Sequence, residues 1–251
     1  MTHFEWWQLP TLAGVGMVSG FLNILAGGGS LLTLPLLIFI GLPAVDANGT
    51  NRVAIVVQNI VAMRSYKKSG VLSWDLALLC TIPAIIGACI GASIAITIDD
   101  HMFRQVLGAV MIMMLILTAV DPVKRYGWDI SSIQDVKRLP LIVGFFIIGI
   151  YGGFIQAGVG FLILIVATLA GMNLVRSNVL KVVVILAFNL PAVAIFAWHG
   201  NVDWILGAAL ASGNAIGGLI AARMAVKKGH DWIRRIVTVV VVLCAIRLFV
   251  F

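Results

Sequence analysis

The sequence predicts an all-α polytopic membrane protein made of two inverted structural repeats, each a re-entrant, broken helical hairpin followed by three transmembrane helices. Three observations predict it. Hydrophobic residues make up 61% of the 251-residue chain and charged residues 11%, against about 45–50% and 25% in soluble globular domains. Long apolar runs alternate with short polar loops, the pattern of stacked membrane helices. Two of those runs are interrupted by glycines, at places about 130 residues apart. The alternating ten-residue strands of an outer-membrane barrel are absent from the sequence pattern.

Apolar segments fall near 8–26, 31–41, 48–64, 74–98, 103–120, 139–157, 160–171, 179–198, 204–226 and 232–251. The opening decapeptide, MTHFEWWQLP, lacks the basic n-region of a cleaved signal peptide. Trp6 and Trp7 read as interface anchors. The chain is organised around the stretch that follows, GFLNILAGGGSLLTLPLLIFIGLP, residues 20–43. A membrane helix can break at Gly27, Gly28 and Gly29 only where protein or a water-filled cavity shelters the freed backbone groups. Residues 31–40 could rise only about 15 Å as a helix, half of a hydrocarbon core of about 30 Å. The expected structure is a hairpin that enters the bilayer, turns at the glycines and returns, with Ser30 capping the free amides of the second arm.

The third segment of each half opens with polar residues: Asn48, Gly49, Thr50, Asn51 and Arg52 in one, Ser177, Asn178 and Lys181 in the other. Residues 122–138, PVKRYGWDISSIQDVKR, form the longest polar connection and divide a first half, 1–121, from a second, 139–251. Sliding the chain on itself by about 130 residues superposes Gly41 on Gly171, Asn48 on Asn178 and Asn59 on Asn189. The same shift puts Trp74 on Trp204, Gly87 on Gly217 and Arg104 on Arg234. Shared apolar composition does not generate Asn on Asn twice or Trp on Trp, so the repeat is read as real.

With a re-entrant pair at the head of each half, each half crosses three times and the two are inverted. One side then collects most of the basic residues, among them Arg64, Lys67, Arg138, Arg176, Lys227 and Arg235. The positive-inside rule makes that side cytoplasmic and places both termini outside a bacterial inner membrane. Two full crossings in place of each hairpin give the same parity, and segment length is what favours the hairpin.

The second break, Gln156-Ala157-Gly158-Val159-Gly160, matches residues 26–30 of the first. Two half-helix N-termini pointing inward, each worth about half a positive charge, favour an anion between them. Arg52 and Lys181, each about one turn into the expected helix, are intramembrane cations, which face a cavity or a partner more often than lipid. Snorkelling of both to headgroups is the alternative. The expected substrate-binding set is Gly28, Gly29, Ser30, Asn48, Thr50, Asn51, Arg52, Gln156, Gly158, Gly160, Asn178 and Lys181. Asn59 and Asn189, repeat-equivalent and deep, complete it, with plain interhelical hydrogen bonding as their other reading.

No GxSxG, HExxH, P-loop or buried carboxylate pair occurs, so no enzyme, no metal site and no cofactor are expected. Cys80, Cys89 and Cys244 lie in apolar segments without CxxC spacing and read as packing. The formal charge of +7 is read as topological rather than as a nucleic-acid footprint; the partners expected are a small anion and the lipid bilayer. Whether the chain pairs as a homodimer is left open. Pro83, Pro191 and Gly213 are expected to kink their helices.

These residues resemble the TauE/SafE family of sulfite and organosulfonate transporters over nearly the whole chain. The resemblance rests on GFLNILAGGGSLLTLPLLIFIGLPAVDANGTN with SGVLSW, and on GFIQAGVGFLILIVATLAGMNLVRSN with HGNVDW. A G-x-V-D-W-type element is clear at Gly200 to Trp204; at Gly70 to Trp74 serine replaces its aspartate. The second break carries fewer glycines than is usual, and Lys181 stands where an uncharged residue is usual. The resemblance implies alternating-access export or exchange of a small sulfur-containing anion such as sulfite or a sulfonate. A passive anion channel and a non-transporting membrane partner in sulfur metabolism are the competing functions.

Overall fold

A computed structural model of the chain describes residues 5–25, 27–67, 74–120, 138–172 and 174–224. These form nine helices: α1 Gln8–Leu25, α2 Ser30–Phe39, α3 Ala44–Lys67, α4 Trp74–Ala95, α5 Asp100–Val120, α6 Arg138–Phe154, α7 Val159–Leu169, α8 Leu174–Trp198 and α9 Trp204–Met224. No strand occurs among the described residues. Helices α1, α4, α8 and α9 are long and apolar enough to cross a membrane. All of the linker expected at 122–138 except Arg138, the last apolar segment at 232–251 and residues 69–73 of the first SGVLSW element lie outside the described residues.

Helices α2 and α7 are short, at 10 and 11 residues. The breaks before them are made by backbone conformations that suit glycine: Gly27 has φ +81° and Gly158 φ +70°. The turns after them repeat the device, with Gly41 at φ +106° and Gly171 at φ +96°. After the first break the chain doubles back, because Gly29 rests on Ser19 and Asn23 of α1. The turn after α2 doubles it again, so that Ser30 and Thr33 face Asn51 of α3.

Glycine governs the helix contacts as well. A Cβ on Gly213 would meet the Ala13 carbonyl and one on Gly217 the Met17 carbonyl, so α9 lies on α1 at backbone distance. Gly149 and Gly153 of α6 lie in the same way on Ala84 and Ala88 of α4. Both pairs run parallel, since contacts advance in the same direction along both helices of each pair. Small residues at such interfaces allow the close approach that drives helix association in lipid. Gly213 is therefore a packing residue, and Pro83 and Pro191 lie inside α4 and α8.

One end of the bundle carries the start of α1 and the turns at 40–43, 96–99 and 199–203. Asp100 there accepts from the Ala44 amide, and Asp46 from the Asn201 side chain at 2.7 Å. The other end carries Arg64, Lys67, Arg138, Arg176 and Arg223. Exposed Leu78, Ile82, Ile86, Ile90 and Ile94 of α4 recur every four residues, an outward apolar stripe suited to lipid. Trp6, Trp74, Trp198 and Trp204 are exposed near helix ends, as interface anchors are.

Candidate functional site

The two breaks meet. A Cβ on Gly27 would lie 2.3 Å from the Gly160 carbonyl carbon, and one on Gly160 would lie 2.5 Å from Gly27 Cα. Only two glycines let these backbones touch, and the contact joins the heads of α2 and α7.

Arg52 and Lys181 flank it, with relative exposures of 0% and 1%. Sequence placed each about one turn into its helix; α3 starts at Ala44 and α8 at Leu174, so both lie about two turns in. Neither snorkels. Arg52 donates from Nη2 to the Gly153 carbonyl at 2.6 Å, and from Nη1 to Asn189 Oδ1 at 3.0 Å and Gln156 Oε1 at 3.3 Å. Its guanidinium carbon stands 4.8 Å from the centroid of Phe196, and its Nε has no partner. Lys181 Nζ donates to the Ile24 carbonyl at 2.6 Å and the Asn23 carbonyl at 3.0 Å. Gly153 is Asn23 shifted by 130; Arg52 holds the last turn of α6 and Lys181 the last turn of α1. A cation is favoured there, because the final carbonyls of a helix carry its partial negative charge. No carboxylate is buried among the described residues, so neither charge is neutralised by a buried acid.

The amides around them position the breaks. Asn48 donates to the Phe154 carbonyl at 2.9 Å and accepts from the Gln156 amide at 3.1 Å, replacing helical bonds lost at the second break. Asn51 accepts from Thr33 at 2.7 Å and donates to Ser30 Oγ at 3.2 Å. Ser30 therefore does not cap α2 as expected; the N-cap residue is Gly29, without a side-chain cap bond. The Ser30 hydroxyl is taken up by Asn51 because α3 folds back directly against it.

The remaining expected residues divide. Gly158 is the left-handed N-cap of α7, covered by the Met114 side chain. Gly29 packs on α1, and Gly28 is half-buried with open space beyond Leu31. Thr50 accepts from the Asp203 amide at 2.9 Å and so anchors the 199–203 turn, away from the tip contact. Asn178 reaches Tyr66 at 3.4 Å and leaves its Oδ1 unpartnered. Asn59 and Asn189 each donate to the carbonyl four residues back in their own helix, and Asn189 alone also receives Arg52.

Sequence reasoning missed Asn23, Ser19 and Phe196. Asn23 supplies a carbonyl to Lys181 and donates its amide to Gln58 Oε1 at 3.4 Å. A lone asparagine in the apolar run FLNILA, four residues before a glycine break, was the available signal. Among the described residues no group of His, Cys, Asp and Glu could hold a metal ion.

An all-helical chain with several membrane-length helices and a buried polar centre at broken helices defines a polytopic membrane transporter as its class. The family model for "Sulfite exporter TauE/SafE" matches residues 12–248, so the chain belongs to the TauE/SafE family. It is 25% identical to a "probable membrane transporter protein" of Sinorhizobium over 96% of this chain and 92% of the relative. Relatives of the same description occur in Haemophilus influenzae, 27% identical over 92% of this chain and 90% of the relative, and in Escherichia coli K12, 27% over 92% and 86%. No solved structure matches.

Proposed function

We propose that the protein is a secondary carrier that moves a small sulfur-containing oxyanion, sulfite or a sulfonate, across the bacterial inner membrane by alternating access. The observation that carries this reading is a pair of fully buried cations, Arg52 and Lys181, beside two touching helix heads and without a buried carboxylate among the described residues. Buried charge of one sign is costly unless something neutralises it. An anion arriving at the tip contact supplies that neutralisation.

The two halves, 1–121 and 139–251, act as inverted repeats in this reading. Support comes from the matched breaks and turns, the parallel pairs α1/α9 and α4/α6, and the reciprocal contacts of Arg52 and Lys181. The basic end of the bundle is then cytoplasmic and the end carrying Asp46, Asp99, Asp100 and Asp203 is external. Rocking of one half on the other exchanges the partners of the cations: carbonyls of the opposite arm in one state, substrate oxygens in another. Export is the direction that the family description suggests.

Purified protein in liposomes, offered sulfite, thiosulfate, sulfonates and carboxylates with and without a pH gradient, tests the reading. Saturable flux of a sulfur oxyanion is expected, weakened in Arg52→Gln and Lys181→Gln. Absence of anion flux from protein that is folded in the liposomes would overturn it.

A further inference from the structure

The environments of the two cations differ in a way that the shared frame does not require. Arg52 meets three acceptors and an aromatic face, and its own Nε is the idle donor there. The Lys181 side contains polar groups with nothing to bind. Ser19 of α1 is fully buried and its Oγ has no partner; it lies 2.7 Å from where a Cβ on Gly29 would stand, at the head of α2. Asn214 of α9 is fully buried with neither Nδ2 nor Oδ1 bonded, and it rests on Gly16 and Gly20. Gly16, Ser19, Gly20 and Asn23 fall on one face of α1, within an arc of about 100°. The unpartnered groups therefore share one seam with the Asn23 carbonyl that holds Lys181.

The matching positions of the second half are Gly149 for Ser19, Gly153 for Asn23, Phe188 for Gln58 and Ala84 for Asn214. Gly149 packs its backbone directly on Ala84 there, as Gly16 and Gly20 pack on Leu210 and Asn214, so the seams differ in the side chains at these positions and not in how closely the backbones approach. The first seam combines an ammonium with idle donors on two side chains, Ser19 and Asn214, and both kinds of group attract negative charge.

We propose that the anion is held on the Lys181 side of the tip contact, in the seam between α1, the head of α2 and α9, with Ser19 and Asn214 as specificity-determining donors. This rests on the anion-carrier reading and names the subsite within it. The Ser19 hydroxyl and the two amide hydrogens of Asn214 offer three donor directions besides Lys181. That set suits the three oxygens of a sulfonate or sulfite head better than the two of a carboxylate.

Binding of methanesulfonate and of acetate to the purified full chain tests it, in wild type, Ser19→Ala, Asn214→Ala and Asn214→Ser, with thermal unfolding recorded for each. Loss of a hydrogen bond to a charged ligand weakens binding about tenfold or more. Each alanine variant should lose about tenfold for methanesulfonate and less than about threefold for acetate. Asn214→Ser, which keeps a donor and vacates space, should recover part of the loss and guards against misfolding of the alanine variant. If wild type binds methanesulfonate and the folded variants bind both anions in the wild-type ratio, the subsite is wrong and the carrier reading stands. If wild type binds no oxyanion, the carrier reading falls and the subsite with it.

Discussion

Gly160→Ala is the most direct probe of the contact between the helix heads. The added carbon would stand 2.5 Å from Gly27 Cα and 3.1 Å from Lys181 Cδ. Carbon atoms in contact prefer about 3.5–4.0 Å, so the two heads must part by about 1 Å, as Gly27 is backbone and cannot swing away. Forcing one extra carbon into a packed site costs about 1–3 kcal/mol, offset in part by the about 0.5–1 kcal/mol that alanine gains over glycine in a helix. The net loss expected is about 0.5–2 kcal/mol of stability, with a fall in anion flux larger than that loss explains, because the parted heads no longer converge on one ligand. Gly108→Ala is the control: nothing lies within 4 Å of its Cβ position, so it should be neutral or stabilising. Flux into liposomes and thermal unfolding in detergent read the two effects separately. Wild-type flux and unfolding temperature in Gly160→Ala would show that the heads do not touch as described.

Other substitutions read the surrounding scaffold. Arg52→Leu strands the Gly153 carbonyl, Asn189 Oδ1 and Gln156 Oε1, each costing about 1–3 kcal/mol unless another donor arrives; a sharp drop in folded yield is expected, with Arg52→Lys intermediate. Asn48→Ala removes both bonds that replace helical pairing at the second break and should cost about 2 kcal/mol or more, measured by thermal unfolding. Asn51→Ala frees Ser30 and Thr33 and should raise hydrogen exchange in the first turns of α2 while leaving α7 unchanged. Gly213→Ala would drive a carbon to 1.9 Å from the Ala13 carbonyl, prising α9 from α1; a fall in unfolding temperature is expected, and an unchanged value would refute the parallel contact.

Much of the fold was legible because bilayers impose few solutions. The lengths of 31–41 and 160–171, with glycine runs before them, gave the two short helices. Helix starts were misjudged at 48 and 179 because polar residues were read as loop edges. Asn48, Asn51 and Asn178 instead lie inside helices that begin earlier, their amides turned inward to neighbouring elements. Arg52 and Lys181 were found as rare charges in apolar surroundings, but both partners of Lys181 and one of Arg52, beside Gln156 and Asn189, are backbone carbonyls, which no residue type announces. The same holds for Thr50, whose partner is the Asp203 amide. Ser19 passed as one more small residue on a glycine-rich helix, since its isolation shows only once α2 folds over it.

The reciprocal grip of Arg52 and Lys181 has a consequence for how the chain is made. The Ile24 carbonyl gains the Lys181 ammonium, and the Asn23 carbonyl a second donor beside the Gly27 amide, only when a segment synthesised 157 or 158 residues later inserts beside them. Until then the last turn of α1 lacks the cation that faces its terminal carbonyls. The nascent first half must wait in the translocation machinery, or dock provisionally, before its glycine tip acquires a fixed position. Separate expression of residues 1–121 should therefore give a protease-sensitive arm, and supplying the second half in trans should protect it.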